Sequence, residues 1–334
     1  MDNRTDSIIR RIISYGMNPL DTLERVCDKY ILWWKRRRSF AHKYIFEDRS
    51  KKSENLLLIV AGFQEFYWDT VFGRVERNCR QFDESIDVCV CVPRGDLGGG
   101  ILDNVRLRCE KLGWSLVYLY DDLLAQAQNT AIKLHPNAKW IYKIDEDIII
   151  SDQYFSKMKR GFLLAEKQLF AQMGFATPLL NLNAACVHHF LETTDKLSDM
   201  YKIFGDIKIR FPQEENDPVH RSEDFARWVW NNSLPFDQVA KEVENTNVGK
   251  IFQANVRLSI GAILFTRNYW EQIGFFEVAR TGAMGVEEGQ MNAYSFNIMQ
   301  SIAIVGDTFA GHLGFFSQKN ACRELYENNK EKFN

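Results

Sequence analysis

The sequence predicts an α/β fold, a mostly parallel central sheet flanked by helices and preceded by a helical prefix. Three observations predict it. Apolar runs of strand length recur at residues 56–62, 87–93, 115–120 and within 140–150. Amphipathic stretches of helical length separate them, the alternation that builds right-handed βαβ units. The composition is globular, with 46% hydrophobic and 26% charged residues over 334 positions, enough for one large α/β domain or two intimately packed halves.

The first 50 residues read as the helical prefix. Ile8, Ile9, Ile12 and Ile13 form an apolar stripe, and Asn18-Pro19 is an N-cap followed by proline at the first helical position. A second helix then carries Leu20, Leu23, Cys27, Tyr30, Ile31 and Trp34 at helical spacing and ends on KRRR, Lys35 to Arg38. WWKRRR fits either a peripheral contact with an anionic membrane surface or a helix end whose tryptophans pack on the main body. The N-terminus lacks the continuous apolar stretch of a secretory signal, and no segment approaches the length of a spanning helix, which predicts a cytoplasmic protein, soluble or peripheral at the inner face of the membrane.

LLLIVAG is the first strand, YWDTVFGRVERNCRQF the first helix of the sheet region, and DVCVCVP the second strand. LDNVRLRCEKLG, SLVYLY and DDLLAQAQNTAIKLHP continue as helix, strand, helix, and WIYKIDEDIII contains the fourth strand. Residues 211–230 read as a polar loop feeding a helix, residues 255–276 as a strand and short helix, and residues 285–307 as a helix and strand followed by AGHLG. Seven cysteines without a C-x-x-C pair suit a reduced compartment, and Cys89 and Cys91 share one strand face as small buried side chains. A net charge of −2 provides no footprint for nucleic acid.

The feature that carries chemistry is Asp145-Glu146-Asp147, three acids between apolar runs. Carboxylates at the end of a buried strand are costly without a cation or hydrogen-bond donors. In an extended chain Asp145 and Asp147 share one side while Glu146 faces away, which makes Glu146 structural and the aspartates a ligand pair for a hard cation, Mg²⁺ or Mn²⁺. Ligands of parallel sheets bind at the carboxyl ends of the strands, where the triplet lies. Gly98-Gly99-Gly100 lacks the lysine and spacing of a phosphate-binding loop and reads as a flexible turn. Trp228, Trp230 and Trp270 are weak candidates for sugar stacking.

With these motifs the chain resembles the metal-dependent nucleotide-sugar glycosyltransferases of the GT-A fold, most closely the large inverting family 2 type. The likeness spans about residues 56 to 314. AQAQNTAIKLHPNAKWIYKIDEDI is similar to the family's asparagine-bearing helix and Asp-x-Asp strand, IGAILFTRNYWEQIGFFE to its acceptor-side element, and GVEEGQ to its Gly-Glu-Asp motif. The resemblance implies a hexosyltransferase-class enzyme that moves a sugar from a nucleotide diphosphate, UDP-sugar favoured, to a hydroxyl on a glycan or glycolipid, as in polysaccharide biosynthesis. It implies a divalent ion on Asp147, on His312 and on Asp145, the last contacting metal or ribose. The nucleotide side would be formed by Ala61, Gly62, Phe63, Asp96, Asn129 and Asp145. The catalytic base would be Glu288 or Glu287, with Glu288 preferred, although glutamate there and the inserted Val286 depart from the family pattern. The implied organisation is a prefix (1–50), a nucleotide-sugar half (51–152), an acceptor and base half (153–318) and a C-terminal tail (319–334). A nucleotidyltransferase, a phosphatase with a nucleophilic aspartate, and a catalytically inactive GT-A-like scaffold that binds sugar, nucleotide or protein partners are the alternatives.

Overall fold

A computed structural model describes residues 27, 29–31, 37–93, 100–121, 123–208, 218–279, 285–315 and 317–333. The isoleucine stripe at residues 8–13, Asp96 and Arg36 lie outside these residues. Helical backbone at residues 27, 29–31, 37 and 38 agrees with the second prefix helix.

Among the described residues ten strands form one mixed sheet: β1 (Tyr44–Glu47), β2 (Asn55–Val60), β3 (Asp87–Val92), β4 (Ser115–Leu119), β5 (Trp140–Asp145), β6 (Ile148–Ile150), β7 (Met173–Leu180), β8 (Ile251–Gln253), β9 (Ala262–Thr266) and β10 (Ser301–His312). Their order is β1-β4-β3-β2-β5-β9-β7-β10-β6, with β8 also pairing β10. β2, β3, β4 and β5 are mutually parallel where they pair, as are β7 and β10, while β9 runs antiparallel between β5 and β7. Every residue of β2, β3 and β4 is buried, the reason these strands read as unbroken apolar runs rather than alternating ones.

Two groups of helices cover the sheet. On one side Tyr142 donates to Phe155 O on the helix Tyr154–Leu169, and Trp140 meets Phe162 edge-on. The helix Trp68–Gln81 joins that layer, and its Arg74, 3% exposed, donates to Phe333 O and pairs with Asp237. That clamp and the Thr70–Tyr326 hydroxyl contact dock the C-terminal tail on the body. The second group comprises Leu124–Leu134, Arg267–Gln272 and Val286–Asn297, tied by Arg267 to the carbonyls of Ile132 and His135 and by Tyr269 to Met291 O.

One expectation changes: residues 44–47, assigned to a helical prefix, pair antiparallel with β4 as an edge strand. The sheet is continuous across residue 152, where β5 pairs with β9, as one domain of two closely packed halves allows.

Close packing around β10 yields a stability prediction. A Cβ on Gly311 would lie 2.4 Å from Cη2 of Trp230, an indole with no exposed surface. Gly311→Ala is expected to destabilise by roughly 1–3 kcal/mol in urea unfolding, because the indole cannot yield without displacing the core. A Cβ on Gly73, inside the helix Trp68–Gln81, would meet no neighbouring atom within 4 Å, so Gly73→Ala should instead stabilise by about 0.5–1 kcal/mol. Equal effects would contradict this packing account.

Candidate functional site

The run IDEDIII is two strands, not one. β5 ends at Asp145, Glu146 and Asp147 form a turn, and β6 begins at Ile148. β6 then pairs antiparallel with β10 in a register that sets Ile148 opposite His312. Leu313 N donates to Asp147 O across the same junction. This register carries the imidazole to the acidic turn, with His312 Nε2 3.7 Å from Asp147 Oδ1.

Both side chains are held from behind. Gln64 Nε2 donates to Asp147 Oδ2 at 2.7 Å, leaving Asp147 Oδ1 buried without a hydrogen-bond partner. His312 N donates to Asn181 Oδ1, and Trp230 Nε1 donates to His312 O. Burial pushes the imidazole below its ordinary value, with Asp147 and Asp145 opposing, a shift toward the neutral form in which an imidazole ligates metals.

Glu146 is a structural carboxylate, as its opposite orientation implied. It is 3% exposed and accepts from Gly62 N at 3.0 Å, Phe63 N at 2.8 Å and Trp68 Nε1 at 2.6 Å. Burial raises it to about 7 against those hydrogen bonds. The amides of Gly62 and Phe63, expected on the nucleotide, are therefore committed to Glu146; the Phe63 side chain, 52% exposed, remains open to solvent and Ala61 is buried. Glu146→Gln, which sets an NH₂ against these donors, is expected to cost about 1–3 kcal/mol in denaturant unfolding. An unchanged midpoint would remove the strut role.

Asp145 has partners of its own, although its charge reaches both Asp147 and His312. Its N–H donates to Gly261 O, and its Oδ1 lies 2.6 Å from the ammonium of Lys143. Its side chain keeps a third of its surface exposed; burial of the remainder raises its proton affinity, Lys143 opposes and Asp147 adds to the rise. Among the described residues no three His, Cys, Asp or Glu side chains form a ready metal-binding group; of the three expected ligands, Asp147 and His312 are the two that meet within 4 Å.

The two glutamates separate. Glu288, the preferred base, pairs with Arg257 at 2.8 Å and accepts weakly from Ile260 N, so it braces the loop before β9. Glu287 is 6% exposed: burial raises its proton affinity, its own backbone N–H and Lys143 draw it down, and Glu288 and Asp145 push it up. Glu287 is thus the carboxylate in electrical contact with the Asp145–Lys143 pair.

Asn129, expected at the nucleotide, has its four hydrogen-bonding positions filled: it donates to Ser39 O and Phe276 O and accepts from Trp270 Nε1 and Phe276 N. It stitches residues 39 and 276 to the helix Leu124–Leu134. That also removes Trp270 from the sugar-stacking candidates, and Trp230 is committed to His312 O, while Trp228 packs with Phe204 and Phe225. Gln64, Lys143 and Arg257 were not singled out from the sequence. Only Lys143 left a local signal, two residues before Asp145 and so on the same strand face.

An orphaned buried carboxylate oxygen beside a neutral imidazole fits a divalent ion taking oxygen and nitrogen donors, with open positions for phosphate oxygens. Compared with protein-family models and with curated proteins, the chain matches none.

Proposed function

We propose that the chain is an inverting glycosyltransferase of GT-A type, transferring a sugar from a nucleotide diphosphate, UDP-sugar favoured, to a hydroxyl of a glycan or glycolipid. The observation that carries the reading is the meeting of Asp147 and His312 at the end of a buried parallel strand, with Asp147 Oδ1 left for a ligand. Mn²⁺ or Mg²⁺ bound there would stabilise the charge that builds on the departing diphosphate. Asp147 and His312 would hold it, Gln64 keeping the aspartate in its rotamer. Glu287 would take the proton of the acceptor hydroxyl as that oxygen attacks the anomeric carbon. Glu288 and Arg257 would fix the loop that carries Ile260 and Gly261 against β5.

The test is release of nucleoside diphosphate from a panel of nucleotide sugars with Mn²⁺. Slow metal-dependent hydrolysis is expected even without acceptor. A second reading, a scaffold without catalysis, is favoured by the lack of a preformed three-ligand group among the described residues. Calorimetry with UDP and Mn²⁺ decides between them, since the scaffold reading requires no metal-dependent nucleotide binding.

Among the described residues no helix is long and apolar enough to cross a membrane. For the proposed peripheral contact, Arg36, Arg37 and Arg38 changed together to Glu are expected to release the protein from anionic vesicles in a sedimentation assay. Unchanged sedimentation removes the contact.

A further inference from the structure

Lys143 is 2% exposed in β5, directed to the opposite face from Tyr142. A buried ammonium is retained only with compensating partners. Its partners are Ile260 O at 2.8 Å and Asp145 Oδ1 at 2.6 Å, and its charge also reaches Glu287. Asp145 is therefore paired with a cation from within the protein, while its charge is also felt at Asp147 and His312. Its backbone is pinned as well, through Asp145 N to Gly261 O. The carboxylate that the Asp-x-Asp spacing offers to a metal is already paired with a cation.

We propose that Lys143 is an internal counter-cation that competes with the divalent ion for Asp145, so that Asp147 and His312 alone are its protein ligands and the free protein binds it weakly. This rests on the function proposed above and extends it to the order of events. Two protein ligands leave most of the coordination sphere to other oxygens. The ion is then retained chiefly with the donor's diphosphate, and Lys143 prevents the empty site from trapping it. The lysine acts through Asp145 and is a positioning residue.

The experiment titrates Mn²⁺ into the full chain, with and without UDP, by calorimetry or by the electron paramagnetic resonance of free Mn²⁺. Lys143→Met frees Asp145 and removes a positive charge, so Mn²⁺ binding without UDP is expected to tighten by on the order of tenfold. Lys143→Arg keeps the charge and should leave the affinity within about twofold, because the Coulomb balance is preserved. Asp145→Asn in the wild-type background should likewise leave it unchanged, and in the Lys143→Met background should cancel the tightening. Lys143→Met that is folded by its thermal transition yet binds Mn²⁺ no more tightly overturns the proposal. So does a tenfold loss in Asp145→Asn alone, a result that does not depend on whether the Lys143 variants fold. Wild-type protein that binds no Mn²⁺ even with UDP overturns the proposed function, and this inference with it. Wild-type binding without the Lys143→Met gain overturns this inference alone.

Discussion

Asp147→Asn is expected to reduce metal-dependent release of nucleoside diphosphate by roughly 10²–10³-fold, the scale of losing one preorganised electrostatic contact to a developing charge. Mn²⁺ titration should show the same loss, because the substitution removes the carboxylate whose Oδ1 is left for a ligand. The fold should survive. Gln64 Nε2 now donates to Asp147 Oδ2, and an asparagine oxygen can accept that bond at the same place. Leu313 N bonds the backbone carbonyl of Asp147, which the substitution does not touch. A variant with wild-type turnover and wild-type Mn²⁺ affinity would remove the metal from the reading altogether. His312→Ala, by contrast, empties a buried volume beside Phe315 and is expected to lose both metal affinity and some stability.

The acidic turn was legible because charge between apolar runs has few physical explanations, and the βαβ alternation placed it at a strand end. What the sequence could not convey was the chain reversal inside it. IDEDIII has the composition of one long strand, and only pairing of β6 with β10 reveals that Ile148–Ile150 belongs to another part of the sheet. That pairing, not local pattern, delivers His312. β7 was hidden for a different reason: Gly174 and Pro178 interrupt MGFATPLL, yet the β9 pairing covers only Phe175 and Ala176, so the missing N–H of Pro178 breaks no bond to that neighbour. β1 was absorbed into the prefix because YIFE is too short to show a period. Asn129 shows the limit of motif matching. Its position in the helix preceding the acidic strand matched the resemblance, while its four hydrogen bonds serve the core.

Glu287→Gln and Glu288→Gln are expected to fail in opposite ways. Glu287→Gln removes the proposed proton acceptor and should lower turnover by about 10²–10⁴-fold, the range attributed to general bases, with the KM for the donor little changed. Its stability at neutral pH should not fall and is expected to rise. The sign follows from the direction of the shift: burial raises Glu287 above its ordinary 4.5, so between 4.5 and the folded value the folded protein holds a proton that the unfolded chain has lost. Stability contributed by this residue thus declines as pH rises from about 4.5 through the folded value, and a neutral glutamine removes that decline. The same shift puts the acid limb of kcat/KM above 4.5 in the wild type. Glu288→Gln should behave as a broken strut. Losing the carboxylate leaves Arg257 without its partner at 2.8 Å and loosens the contact to Ile260 N, so about 1–3 kcal/mol of stability is expected to go. Its activity should fall less than that of Glu287→Gln, by way of the loop that holds Lys143 through Ile260 O. The pair is read by turnover, donor KM and urea unfolding on the same preparations. Should Glu288→Gln lose turnover 10²-fold or more with unchanged stability, while Glu287→Gln keeps its activity, the base is Glu288 and the assignment drawn from the Glu287–Lys143–Asp145 grouping is wrong.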